Sequence, residues 1–188
     1  MTLDLAAANW HLAGLRPFPA AVTTVAGGRV NGCIALSPGS ASVVPEAPRV
    51  TVGLTTHNLT HDMVRESGVF AVHLLSGEDA ELEASLAIVM GLAGSSGRQG
   101  DKIGALPTRA GVTGSPILLG ALSYVEGRVV NALVTEENTI YLADVVAAGR
   151  LRNGRRLSVA DIRVGDPARP LALVSHSCEH ERKRTPQA

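Results

Sequence analysis

The sequence predicts a mainly β protein, an antiparallel barrel with peripheral helices, on three observations. Strand-like runs outnumber helical ones, they come as hairpins instead of alternating singly with helices, and no Gly-x-Gly-x-x-Gly or Walker-type loop marks a doubly wound nucleotide fold. At 188 residues the chain can bury a core without disulfides or a structural metal. A single domain over residues 1–175 is therefore expected, followed by a charged tail at 176–188.

The elements follow in order. Residues 21–25 mix apolar side chains with threonine as a strand does, Gly27-Gly28 supplies a turn, and residues 30–36 run back as the partner. Pro45 and Pro48 punctuate a loop, after which Val50, Val52 and Leu54 alternate with Thr51, Gly53 and Thr55 at the period of a half-buried strand. Asn58 or Thr60 caps a short helix through Arg65 that Gly68 ends. Residues 69–75 then set Phe70, Val72 and Leu74 on one side of a strand, so that His73 points away from them. Ser76 with Glu78 and Asp79 signals a second helix start, Leu82, Leu86 and Val89 keep helical spacing, and the stretch from Gly91 to Gly94 ends it. Gly, Ser and charge over 94–116 predict a long loop, and strands at 121–133 and 139–148 flank a turn at 135–138.

Composition excludes several classes of function. Seventeen basic residues balance seventeen acidic ones, so no net field draws nucleic acid or an anionic membrane. Aromatics at 3% leave no platform for stacked bases. No apolar run approaches the roughly 18–20 residues of a membrane span. Cys33 and Cys178 have no paired spacing and no secretory signal ahead of them, which predicts thiols in the cytoplasm. His57 and His61 lack the glutamate of a zinc-hydrolase motif, and His176, Cys178 and His180 stand in the polar tail, so no metal site is expected. Nor does a nucleophile with its acid/base partners stand out, and no catalytic side chain is assigned.

The chemistry that the residue types do suggest lies between Asn31 and Thr60. Gly32 and Gly39 permit close backbone approach, and Ser37, Ser40 and Ser42 add hydroxyls beside the main-chain donors of a strand end. Thr55, Thr56, Asn58 and Thr60 sit where a strand runs into a helix N-terminus, a place that suits phosphate. On residue types alone the plainer reading, a solvated strand edge and loop, leads, because Ser, Thr, Asn and Gly fill ordinary turns.

Longer motifs tip that balance. Pro19-Ala20-Ala21-Val22-Thr23-Thr24-Val25, then Asn31-Gly32, then Ser40-Ala41-Ser42 with Pro48, resemble the flavin reductase-like family of split-barrel flavin binders. The resemblance continues through Thr60-His61-Asp62-Met63-Val64-Arg65-Glu66-Ser67-Gly68-Val69-Phe70-Ala71-Val72. It extends to Ser95-Ser96-Gly97-Arg98 with Asp101-Lys102, the strand from Gly120, and Asn138-Thr139-Ile140-Tyr141. Together these cover roughly residues 18–150.

The resemblance implies a six-stranded Greek-key split barrel, a homodimer, with FMN or FAD near the subunit contact. It implies that Ile34, Ala35, Leu36 and Ser37 meet the flavin ring through their backbone, and that Ser40, Thr56, Asn58 and Thr60 serve the ribityl chain and phosphate. His57 would meet solvent or that phosphate, and Arg98 and Lys102 are candidate charge partners for the phosphate or for a nicotinamide cofactor. The implied activity is NAD(P)H-dependent reduction of flavin, which in turn supplies a partner monooxygenase. The sequence departs from the family at Ile34, Leu36 and Pro38, where polar residues and an aromatic are common, at Asn138, where many reductases carry His, and in the tail from Pro170. Those departures motivate two alternatives: a module that holds flavin, or another flat cofactor such as haem, without fast hydride transfer, and an interaction domain with a degenerate pocket.

Overall fold

The computed structural model describes residues 18–36, 38–94 and 97–165. The expected charged tail, Cys178 and Ser37 lie outside these described residues.

Among the described residues nine strands and three helices follow in the order β1 (Ala20–Ala26), β2 (Arg29–Ala35), β3 (Gly39–Ser40), β4 (Arg49–Thr55), α1 (Leu59–Ser67), β5 (Val69–Leu74), α2 (Asp79–Ala93), β6 (Thr108–Ala110), β7 (Pro116–Leu118), β8 (Ser123–Val134), β9 (Asn138–Arg150) and α3 (Val159–Gly165). Seven form one sheet in the order β2-β1-β5-β8-β9-β4-β3, every pair antiparallel. The first hairpin is tight because Ala26 pairs with Arg29, leaving Gly27 and Gly28 as a two-residue turn at φ +54° and +77°. Positive φ at both central residues is what a type I′ turn demands, and glycine meets it without a Cβ clash.

The sheet curls round one core. Ala20 and Val22 of β1, Cys33 and Ala35 of β2, Val50, Val52 and Leu54 of β4, Phe70 and Val72 of β5, and Tyr141 and Ala143 of β9 pack together, with Val125 and Val129 of β8 against them. All six long strands therefore turn one face inward, and Val64 of α1 joins the same core. The end strand β2 comes into contact with β4, which carries only the two-residue β3 outside it, but β2 and β4 share no ladder, so the barrel is split along one line. This is the mainly β, split-barrel architecture with peripheral helices that the sequence predicts.

A second apolar layer lies outside the barrel. Ile88, Val89 and Leu92 of α2 pack on Ala21 and Ile34 from the outer face of β1 and β2, with Leu118, Leu157 and Ile162 closing over them. His73 is fully buried on this outer side, opposite Phe70 and Val72, as the alternation requires. Two features depart from the sequence reading. The stretch 94–116 is not a bare loop, since β6 lies inside it and pairs with β7, and Thr23 Oγ1 donates to the Pro116 carbonyl at 2.6 Å. Helix α3 was not expected; its Ile162 is buried in the outer layer. Among the described residues no helix is long and apolar enough to cross a membrane.

Candidate functional site

The split between β2 and β4 positions the site. Along β2 the pleat sends Cys33 and Ala35 into the barrel and Ile34 out against α2, while Asn31 reaches toward α1. Among the described residues β1 is the only ladder partner of β2, so the far edge of β2 carries no ladder. Leu36 continues half-buried past the strand end, and β3 returns beside β4 with Ser40 exposed, its hydroxyl 3.5 Å from the Ser42 carbonyl. Ile34, Ala35, Leu36 and Ser40 thus flank one end of the split.

At the other end β4 runs into α1. The Asn58 side chain caps the helix, its Oδ1 accepting the Thr60 N–H at 3.0 Å, and Gly68 closes it with an N–H on the Val64 carbonyl. Thr60 is fully buried and its Oγ1 accepts from Asn31 Nδ2 at 3.1 Å, which ties the helix to β2. Gly97 lies so close to Asn31 that a Cβ there would stand 2.5 Å from Oδ1. Arg98 then reaches Asp62 in the first turn of α1, with the guanidinium still half exposed. Burial works to raise the Asp62 carboxyl, but hydrogen bonds from Arg98 and His61 outweigh it and hold the group below its usual range. His61 is buried between Asp62 Oδ1 at 3.1 Å and Thr139 Oγ1 at 3.0 Å.

Two candidate ligand contacts are redirected by the fold, and a third is half committed. Thr60 is enclosed by Asn31 and offers no exposed hydroxyl. Lys102 is buried, with Nζ donating to the Leu92 carbonyl at 2.9 Å at the end of α2, where an ammonium satisfies the helix C-terminus. Asn58 spends its side-chain oxygen on the cap. Thr56, His57 and Arg98 stay at least partly accessible, although Thr56 also donates its hydroxyl to the Glu136 carbonyl at 3.3 Å. The residues missed as site candidates are Asn31, Asp62 and Asn138. Asn138 begins β9 opposite Thr55, and its Oδ1 is buried with no hydrogen-bond partner among the described residues.

The sequence pattern of the flavin reductase like domain matches residues 15–166. The chain belongs to the flavin reductase-like family. Among its relatives, a ferric-chelate reductase (NAD(P)H) of Archaeoglobus fulgidus is 28% identical over 141 residues, covering 74% of this chain and 79% of that protein. An FMN-binding protein from Thermus thermophilus, solved with bound 1-cyclohex-2-enone, superposes with a TM-score of 0.62 at 26% identity, over 72% of this chain and 71% of that one. A Streptomyces globisporus NADH:FAD oxidoreductase shares the fold with a TM-score of 0.67 at 24% identity, over 84% and 92% of the two chains.

The flavin that this family implies fits the residues present. The β2 edge that carries no ladder among the described residues, the Asn138 oxygen without a hydrogen-bond partner among them and the half-exposed Arg98 are groups that a flat, hydroxylated, phosphorylated molecule uses. A flavin reductase-like chain needs no acid/base triad for this, since the protein's part is to bind and orient.

Proposed function

We propose that this chain is an NAD(P)H-dependent flavin reductase that takes FMN, with FAD as the alternative flavin. The observation that supports the reading is the edge of β2 over residues 34–36, which carries no ladder on its β4 side among the described residues and runs toward the Arg98 corner. Backbone groups of Ile34, Ala35 and Leu36 would orient the ring, Ser40, Thr56, His57 and Asn138 would meet the ribityl hydroxyls, and Arg98 would hold the phosphate. Bound flavin supplies the redox chemistry, accepting a hydride from reduced nicotinamide and passing electrons on. The curated relative named for NAD(P)H-dependent reduction supports the same assignment.

The working unit is a homodimer in this reading. Leu133 on β8 is 63% exposed and pairs with the exposed Ile140 on β9, which puts two apolar side chains on one face of the β8–β9 hairpin. A second copy would cover it, and sedimentation of wild type against Leu133→Glu tests this, with a dimer that persists in the variant counting against it. The reduced flavin would pass to a partner monooxygenase, in keeping with a structural neighbour described as component B of nitrilotriacetate monooxygenase.

The deciding experiment mixes the purified protein and FMN with NADH or NADPH and follows loss of the flavin's visible absorbance. Turnover with either nucleotide is expected. A protein that binds flavin yet bleaches it with neither would be the binding module, a reading that Asn138, in place of the histidine common in reductases, favours.

A further inference from the structure

We propose that the groove where β8 begins and β9 ends is a second binding site, for a small amphiphilic anion: a phosphate or carboxylate head on an apolar body. The groove is open to solvent and has a volume of about 690 Å³, a size that small molecules occupy. Leu74, Leu122 and Val125 make its apolar wall, and Arg150, Arg152 and Arg156 line it as well. The Tyr124 ring lies across Gly149, where a Cβ would stand 2.5 Å from the ring, so the absence of a side chain at 149 lets the ring lie against the strand.

The arginines are not equivalent. Arg152 is committed, donating to Glu81 Oε1 at 3.4 Å and to the Leu119 carbonyl at 2.8 Å. Arg150 has no carboxylate partner among the described residues, and Arg156 lies over the Phe18 ring, 5.1 Å from its centroid, with none either. Two uncompensated guanidinium groups beside an apolar wall suit a ligand with both characters, since the planar fork matches phosphate and carboxylate alike. The groove is distinct from the flavin site. Arg150 stands at the opposite end of β9 from Thr139, about 35 Å along the strand path at ~3.3 Å per residue. Across the split only β4 lies between β2 and β9, and Ala143, opposite Val50 beside Ser40, is still about 23 Å along the strand from Arg150 at ~3.3 Å per residue.

The test is titration of the full chain with phenyl phosphate, benzoate, inorganic phosphate and benzyl alcohol, followed by backbone amide NMR shifts. Saturable shifts at Tyr124, Gly149 and Gly154 are expected with phenyl phosphate or benzoate, the tighter of the two naming the head group. Inorganic phosphate and benzyl alcohol should each bind at least about 10-fold more weakly, because each lacks one half of the recognition. Arg150→Gln/Arg156→Gln should weaken the tighter probe by about 10-fold or more while leaving FMN affinity unchanged. The proposal is overturned by the absence of saturable shifts at those amides, by inorganic phosphate binding as well as phenyl phosphate, or by full affinity in a double variant whose spectrum shows it folded.

Discussion

The backbone N–H of Leu118 donates to Nε2 of His73 at 3.2 Å, which fixes the proton of that imidazole on Nδ1, where it meets the Ala21 carbonyl at 3.2 Å. One neutral ring thereby bridges β1, β5 and β7. Burial, working against the Ala21 bond and the Glu126 charge, pushes its pKa down to about 4 from an ordinary 6.5. The unfolded chain takes up the proton first as pH falls, so His73 contributes full stability above about 6.5, progressively less toward about 4, and no further change below. A gap of that size corresponds to ~3 kcal/mol. Urea unfolding across this window should show the decline, and His73→Gln should be less stable at pH 7 but lack that part of the slope.

Glu126 predicts a second buried cost. Its carboxylate accepts the N–H groups of Val112 and Thr113 at 3.0 and 2.8 Å and the Thr113 hydroxyl at 2.7 Å, holding the β6–β7 turn on β8. Glu126→Gln keeps the shape but turns an amide NH2 toward donors, at a cost of ~1.5–3 kcal/mol. Faster hydrogen exchange at residues 111–115 should accompany the lower denaturation midpoint.

Arg98→Ala is expected to weaken FMN by about 10-fold while changing riboflavin little, since only FMN carries the phosphate. Flavin fluorescence titrations of both ligands decide it. Equal losses would place Arg98 away from the phosphate.

Removing the amide that ties β2 to α1 should destabilise the fold without touching a ligand directly. Asn31→Ala strips the donor from the enclosed Thr60 hydroxyl and is expected to cost ~1–3 kcal/mol by chemical unfolding. An unchanged midpoint would show that the hydroxyl finds another partner.

Local signals carried much of this architecture. The Val50, Val52 and Leu54 alternation, the Gly27-Gly28 turn and the run from Asn58 to Gly68 each act within a few residues, and each appears where the pattern puts it. The short strands β6 and β7 were not legible, because three residues carry no periodicity and their pairing depends on anchors at Thr23 and Glu126. The site was legible as a region more than as a set of side chains. Thr60 reads as a ligand hydroxyl until Asn31, 29 residues away in sequence, claims it. Lys102 reads as a surface cation until the end of α2 supplies a carbonyl for it. Both outcomes depend on tertiary neighbours that no local window contains.

The missing ladder between β2 and β4 also bears on mechanics. Parting those two edges breaks no ladder among the described residues, only side-chain contacts and the Asn31–Thr60 hydrogen bond, whereas any other seam of the barrel must unzip. That slot is thereby the seam with the least to break, and a planar guest seated in it would act as a wedge that stiffens the whole cylinder, raising thermal resistance well beyond the few residues it touches.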